Sequence, residues 1–212
     1  MSMPYSSDLI LPNLEQGTDA WFEARRGVVT GSNFGKIITP KGGSSSQSKD
    51  YMCKLVAEYV TKEVEPSFKS EYMKDGNDNE GFAISNYNFI NDVVTEHVGL
   101  VYMDEERNVS VSPDGLRVVN GSIVGGVEAK CPKPATVVKY IVDNALPDVY
   151  KAQVQGSMWV CRCDWWDFIA YTKLLKPMLI RVHRDDIYIS KMKELVLCFV
   201  EEMIEMRKEV VQ

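Results

Sequence analysis

The sequence predicts an α/β fold, with one central, mixed and largely antiparallel sheet flanked by helices. Patterns with helical spacing occupy both ends of the chain, whereas short apolar runs separated by turn signals fill the middle. The chain has 212 residues, of which 45% are hydrophobic and 25% are charged, as expected for one globular domain. We expect helices over about 18–61 to pack on a core over about 76–183, with a closing helix over about 185–209.

Four helices are predicted in the first half of the chain. Thr18 is a suitable N-cap for a helix that stops at Gly27, and Ser32 for a second helix that ends before Pro40. Apolar spacing predicts a third helix over residues 51–61 and a fourth over about 78–98.

Strands and further helices are predicted in the second half. The apolar runs that predict strands occupy residues 100–102, 109–111, 123–130, 166–171 and 178–183. Turn-forming sequences at 113–115 and 120–121 separate the first three of these runs, which indicates an antiparallel meander. The helical patterns occupy about 135–144, 148–163 and 185–209.

Composition excludes several classes of protein. No apolar run is long enough to span a membrane, and no secretory signal is recognisable, so we expect a cytoplasmic protein. Five cysteines fit a reducing compartment, and the pair Cys161 and Cys163 lacks partners for a zinc site. The net charge of -6 argues against a protein that coats nucleic acid from outside.

A carboxylate cluster is predicted around the strand that ends at Lys130. Alternation along a strand places Glu128 and Lys130 on one face, and Asp114, at the turn before the preceding strand, can lie next to Glu128. Two carboxylates and a backbone carbonyl, for which Ala129 is the candidate, form an all-oxygen site suited to Mg²⁺. The alternative is a plain turn at Asp114 and an exposed Glu128–Lys130 ion pair.

Two helices can contribute further polar groups to this cluster. Glu80 shares a helical stripe with Ile84 and Tyr87, which makes it a candidate additional metal ligand or supporting group. The alternative is that Glu80, in the first turn, only stabilises the helix through its dipole. Gln153 and Gln155 lie in a mainly apolar helix, where their amides can position water, lysine or a DNA backbone, unless that helix is simply half-exposed.

Five segments, in this order along the chain, resemble the phage lambda exonuclease family, also called YqaJ-type viral recombinases. The matching segments are Trp21–Ser32, Gly76–Glu80, Ser112–Leu116, Glu128–Pro132 and Ala152–Trp159. This family belongs to the PD-(D/E)xK nuclease superfamily. The resemblance therefore implies a restriction-endonuclease-like PD-(D/E)xK core within a single nuclease domain.

The resemblance also implies an activity. It implies a Mg²⁺-dependent, processive 5′-to-3′ exonuclease, in which Mn²⁺ can substitute, that digests one strand of linear double-stranded DNA to mononucleotides. The implied catalytic residues are Asp114, Glu128, Lys130, Glu80, Gln153 and Gln155. The expected metal ligands are Asp114, Glu128, Ala129 and Glu80. Lys130 would act on the attacking water.

The resemblance also implies contacts with the DNA substrate. Arg25 and Ser32 would hold the DNA 5′-phosphate, although the adjacent Arg26 is an alternative to Arg25. The expected duplex wedge is one of Phe68, Tyr72 and Met73.

At the level of assembly, the family implies a ring-shaped homotrimer, a single-strand annealing recombinase as partner, and a phage or prophage origin in a bacterial host. The alternative functions are an endonuclease of the same core, of restriction or junction-resolving type, and a non-catalytic DNA-end-binding protein.

Overall fold

The computed structural model describes residues 2–64 and 71–211, except for the side chains of residues 71–78. The helices are α1 (Asp19–Arg25), a 3₁₀ helix (Gly31–Lys36), α2 (Ser48–Thr61), α3 (Glu71–Asn91), α4 (Pro134–Asp143), α5 (Asp148–Cys161) and α6 (Asp186–Val211). The strands are β1 (Ile10–Leu11), β2 (Val29–Thr30), β3 (Leu100–Tyr102), β4 (Val109–Val111), β5 (Gly115–Val119), β6 (Ser122–Lys130), β7 (Trp165–Ala170) and β8 (Met178–His183). The predicted α/β class is confirmed.

The strands form two four-stranded sheets, where the sequence predicts one. The first has the order β5-β6-β7-β8, with β6 and β7 parallel and the other pairs antiparallel. The second has the order β1-β3-β4-β2. The predicted meander is confirmed for its first step, because β3 and β4 pair antiparallel. It is wrong at the next step, because β4 pairs with the two-residue strand β2 and not with the hairpin of β5 and β6. Strands of two residues are too short to produce a recognisable apolar pattern in the sequence.

The first sheet is organised around the hairpin of β5 and β6. Asn120 and Gly121 both have positive φ, at 50° and 72°, which is the geometry of a tight hairpin turn. The chain then crosses over through α4 and α5 before β7 pairs in parallel with β6, as a parallel connection requires. A Cβ atom at Gly126 would lie 2.3 Å from the ring of Trp166, so only glycine allows this close pairing of β6 and β7.

Helices cover both faces of this sheet. Val127, Ala129 and Ile169 pack with Ala83 and Tyr87 of α3 in a small core. The opposite face contributes to a larger core that includes residues of α2, α5 and α6. Within the described residues, no helix is long and apolar enough to cross a bilayer.

Two predicted helices differ in form from the expectation. Ser32 lies inside the 3₁₀ helix and does not cap an α-helix; Thr30 is the N-cap, without a side-chain cap hydrogen bond. The fourth helix ends at Asn91 and not near Val98, because the backbone of Glu96 exchanges two 2.8 Å hydrogen bonds with Leu116 of β5. In both places long-range packing overrides the local helical pattern.

Candidate active site

The ends of β5 and β6 bring the predicted carboxylates together. β5 begins at Gly115, opposite Val127, so β6 runs on past the start of β5. The backbone N–H of Ala129, which therefore has no strand partner on that side, donates a 2.7 Å hydrogen bond to Asp114 Oδ2. In a strand, the N–H and C=O of one residue point to the same edge, so the Ala129 carbonyl also points toward Asp114.

Glu128, the residue before Ala129 on β6, is enclosed beside α5. It is 2% exposed, and its Oε1 accepts a hydrogen bond from the Lys130 ammonium and a 2.6 Å hydrogen bond from Gln153 Nε2. The ring of Tyr150 lies 5.8 Å from Lys130 Nζ. The interpretation of Glu128 and Lys130 as a plain exposed ion pair is therefore wrong. An unpaired carboxylate at this depth would be costly, and these two donors stabilise it.

Helix α3 supplies the third carboxylate. The stripe predicted from the sequence is present, because Ala83 and Tyr87 are buried against β6 and Ile84 packs beside them. One turn before Ala83, Glu80 is close enough to Asp114 for their side chains to share a hydrogen bond. The structure thus brings together the carboxylates of Asp114 and Glu80 at the edge of β6.

The protonation of these groups reflects their burial and mutual repulsion. Burial and the charge of Glu80 raise the pKa of Asp114 to about 8, against the opposing effect of Lys130. Burial raises the pKa of Glu128 to about 7, and Lys130 limits that rise. Burial alone would lower the pKa of Lys130, but the charges of Glu128 and Asp114 hold it above its ordinary value. Lys130 is therefore a cation at neutral pH.

The donor set fits a divalent cation by its chemistry. The negative charge of Glu80 favours the protonated form of Asp114, and a cation between the two carboxylates would relieve the same repulsion. Carboxylate and backbone carbonyl oxygens are the ligands that Mg²⁺ prefers. Among the side chains that the structure describes, which exclude those of residues 65–78, no three of His, Cys, Asp or Glu form a ready-made metal cluster. Glu128 faces Lys130 and Gln153, and the charge of Asp114 also acts on it.

A cleft of about 940 Å³ extends from these carboxylates to the N-terminal helices. Glu80 and Asp114 line one end, and Arg25, Ser32 and Lys36 line the other. The structure therefore places both predicted parts of the site, the carboxylates and the phosphate-binding residues, along one continuous surface.

The two adjacent arginines have different environments. Arg26 is bound by Glu23 at 2.6 Å and by the carbonyl of Lys62 at 3.2 Å. The guanidinium of Arg25 stacks 3.7 Å from the ring centroid of Trp21, and in the described part of the chain it donates no hydrogen bond. Burial lowers the pKa of Arg25 to about 10, so it stays charged at neutral pH. The fork of Arg25 is the one left available for a phosphate.

Ser32 reaches the cleft because its 3₁₀ helix packs closely on α5. A Cβ atom at Gly156 of α5 would lie 2.1 Å from the ring of Phe34, which is two residues after Ser32. The absence of a side chain at Gly156 thus sets the position of the Ser32 turn.

Gln155 does not join the cluster. Its amide donates to the carbonyl of His183 at 3.0 Å and its oxygen accepts from the N–H of Asp185 at 2.9 Å. Side chains two residues apart on a helix point to different faces. Of the two glutamines, Gln153 therefore faces Glu128 and Gln155 does not. The structure therefore does not bring Gln155 to the predicted site, and this buried amide instead joins the end of β8 to the start of α6.

The residues predicted to form a duplex wedge have side chains outside the described part of the structure. Phe68 lies outside the described residues, and Tyr72 and Met73 lie on α3 with side chains outside the described part.

Further residues of the cleft were not identified from the sequence, among them Lys36, Tyr51, Lys54 and Glu58. The one available signal was the i,i+4 spacing of Lys54 and Glu58, which is common on any exposed helix.

Comparison with known proteins is consistent with this geometry. Residues 20–164 match the YqaJ-like viral recombinase domain family. A curated relative, the putative uncharacterized protein ExoD of Escherichia coli (strain K12), is 36% identical over 70 residues, which are 32% of this chain and 80% of that protein.

Solved structures resemble the whole chain. The alkaline exonuclease LHK-Exo from Laribacter hongkongensis matches with a TM-score of 0.81 and 27% identity, over 91% of this chain and 96% of that one. Its complex with dAMP matches with a TM-score of 0.79, the same identity and the same coverage. A phage related exonuclease from Haemophilus somnus 129PT has a TM-score of 0.62 at 16% identity, over 86% of this chain and 96% of that one, and shows the fold alone.

Proposed function

Because the chain belongs to the YqaJ-like viral recombinase domain family, we propose that it is a Mg²⁺-dependent, processive 5′-to-3′ exonuclease acting on linear double-stranded DNA. It releases mononucleotides from one strand and leaves a 3′ single strand for recombination by strand annealing. The family and the likeness to an alkaline exonuclease support a nuclease. The polarity, the metal and the processivity belong to the proposal.

The observation that carries this proposal is the cleft that two carboxylates of the cluster, Asp114 and Glu80, share with an available arginine, Arg25. Asp114, Glu80 and the carbonyl of Ala129 would hold the ion, with Glu128 as a further ligand. The chemistry that Mg²⁺ supplies when bound is electrophilic activation of a phosphate and neutralisation of the charge that develops on it.

The side chains of this protein have separate tasks in the proposed reaction. Lys130, fixed by Glu128, orients the attacking water and offsets negative charge at the phosphate. Gln153 holds the carboxylate of Glu128 in place. Arg25 and Ser32 hold the terminal 5′-phosphate at the other end of the cleft, so that each cleavage starts from a fixed position.

The proposed assembly follows from the same function. A ring-shaped homotrimer around the duplex would keep the enzyme on its substrate between cleavages, and a single-strand annealing protein would take up the exposed strand. The net charge of -6 is compatible with a protein that encloses DNA, provided that its basic groups line the DNA path.

The experiment is a cleavage assay on two DNA forms, a linear duplex with 5′-phosphates and a covalently closed circle. The wild type should degrade the linear form only with Mg²⁺ or Mn²⁺ and leave the circle intact. Glu128→Gln should lower cleavage by at least about 10² while DNA-end binding stays measurable, and Glu105→Gln, at an exposed turn, should change neither. Cutting of the circle at a comparable rate would favour an endonuclease instead.

A further inference from the structure

A further buried carboxylate lies in the sheet beneath α3, outside the carboxylate cluster. Asp167 lies on β7 directly opposite Val127 of β6, and it is 3% exposed. Its Oδ1 accepts a 2.8 Å hydrogen bond from Arg181 Nε, and its Oδ2 accepts a 2.8 Å hydrogen bond from Arg181 Nη2. The hydroxyl of Tyr87 on α3 donates to the same Oδ2 at 2.7 Å. Asp167 therefore joins α3 to the strands β7 and β8.

Both partners of Asp167 are themselves held in place. Arg181 is the direct neighbour of Asp167 on β8, and its guanidinium stacks 3.8 Å from the ring centroid of Trp165. Tyr87 is 1% exposed. Burial and the hydrogen bond to Asp167 raise the pKa of Tyr87, so its hydroxyl keeps its proton and remains a donor. The hydrogen bond thus connects a fixed donor to a fixed acceptor.

This hydrogen bond gives α3 a directional contact with the sheet. Ala83 and the ring of Tyr87 pack against Val127 and Ala129, and apolar contacts of this kind do not define one orientation. A hydrogen bond weakens steeply when its geometry changes. A buried ion pair is a weak source of stability, but it can specify one arrangement of the elements that it joins. We therefore expect the contact of Tyr87 with Asp167 to set the rotation of α3.

The rotation of α3 determines where Glu80 lies. Tyr87 follows Glu80 by two helical turns, so both side chains lie on the same stripe of α3. Glu80 shares a hydrogen bond with Asp114 in the carboxylate cluster. A side chain ends about 5 Å from the helix axis, so a rotation of about 10° moves it by about 1 Å. Mg²⁺ requires nearly ideal ligand distances of about 2.0–2.1 Å, which makes such a displacement significant.

We propose that Tyr87, Asp167 and Arg181 are positioning residues for the metal site. They fix the rotation of α3, so that Glu80 meets Asp114 at the distance that a divalent ion requires. None of the three is among the residues that line the cleft, so they act through α3 and not by contact with the ion or the DNA. This inference rests on the metal dependence in the proposed function, and it adds residues to which that function gives no part.

The test measures Mn²⁺ binding without DNA, by the electron paramagnetic resonance signal of the free ion. Tyr87→Phe keeps the ring and removes the hydroxyl, and it should weaken Mn²⁺ binding by about fivefold, the size of one hydrogen bond. The same substitution in a Glu80→Gln background should change Mn²⁺ affinity by less than about twofold, because Tyr87 acts through Glu80.

A cleavage assay separates metal binding from the chemical step. The Mg²⁺ concentration that gives half the maximal rate should rise about fivefold in Tyr87→Phe, as the Mn²⁺ affinity falls. The kcat at saturating Mg²⁺ should change by less than about twofold, since the ion then holds the site together. A general loss of folded protein would instead lower kcat at every Mg²⁺ concentration.

A second variant and a matched control accompany Tyr87→Phe. Arg181→Lys keeps the charge but loses the two-pronged contact with Asp167, so it should also weaken Mn²⁺ binding. Tyr188→Phe is the control, because Tyr188 is a buried tyrosine of α6 whose hydroxyl donates to the carbonyl of Thr39 at 3.1 Å. It should lower the free energy of unfolding and leave Mn²⁺ affinity unchanged.

The outcomes separate this inference from the proposed function. If Tyr87→Phe binds Mn²⁺ as the wild type does, or weakens binding equally in the Glu80→Gln background, the inference is wrong. An equal loss of affinity in Tyr188→Phe would also contradict it. If the wild type binds Mn²⁺ no more tightly than Asp114→Asn, the proposed metal site itself is wrong, and the positioning role is wrong with it.

Discussion

Replacing Asp114 with asparagine should remove a pH dependence of stability that the metal-free protein carries. Burial and the charge of Glu80 raise the pKa of Asp114 to about 8, whereas an aspartate in an unfolded chain has a pKa of about 3.9. The folded state therefore binds the proton more tightly than the unfolded state. Folding consequently becomes less favourable as pH rises from about 4 to about 8, and this loss is complete above the folded-state pKa.

The size of the effect follows from these two pKa values. A single group with these two pKa values lowers the free energy of unfolding by about 2 kcal/mol between pH 6 and pH 8. Asp114 is half-buried, and solvent screening reduces the expected difference to about 1–2 kcal/mol. The asparagine side chain keeps an oxygen for the N–H of Ala129, so the hydrogen bond at the edge of β6 is retained.

Urea unfolding at pH 6 and pH 8 in EDTA measures this difference. The free energy of unfolding of the wild type should fall by about 1–2 kcal/mol more than that of Asp114→Asn. Mg²⁺ at pH 8 should stabilise the wild type and not the variant, since the ion binds only the folded site. Asp143→Asn, at the exposed end of α4, is the control. The same pH dependence in wild type and Asp114→Asn would refute the account of this cluster.

Three further substitutions test individual contacts. Lys130→Met should lower the cleavage rate by at least about 10² while DNA-end binding is retained. The control Lys139→Met, on the exposed surface of α4, should leave the rate unchanged. Equal cleavage rates in the two variants would show that Lys130 takes no part in the reaction. Gln153→Leu should reduce kcat by about tenfold, because Glu128 loses a 2.6 Å donor, and an unaltered kcat in single-turnover assays would contradict that role. Arg25→Gln should reduce the preference for 5′-phosphate over 5′-hydroxyl ends about tenfold in competitive digestion, whereas an effect confined to Arg26→Gln would move the phosphate contact to that residue.

The parts of the site that could be predicted from the sequence are those set by local periodicity. Strand alternation placed Glu128 and Lys130 on one side of β6, and helical spacing placed Glu80 on the stripe of Tyr87. The N-cap of α1 was equally local, since Thr18 Oγ1 accepts from the N–H of Trp21 at 3.3 Å.

The parts that could not be predicted depend on contacts between distant segments. The second sheet is assembled from strands of two or three residues that are far apart in the chain. Gln155 and Gln153 look equivalent in the sequence, and only the position of the backbone at His183 and Asp185 separates their roles. The contact of Lys36 with the ring of Tyr51 likewise depends on how α2 and the 3₁₀ helix approach each other.

The most direct test of the central claim follows both strands of one duplex in the same reaction. A linear duplex with a 5′-phosphate at one end carries different fluorophores on its two strands, and products are resolved with and without Mg²⁺. The account predicts Mg²⁺-dependent release of mononucleotides from the 5′-phosphorylated strand while its complement stays full length. Release from the 3′ end, internal fragments, or equal digestion in EDTA would contradict it.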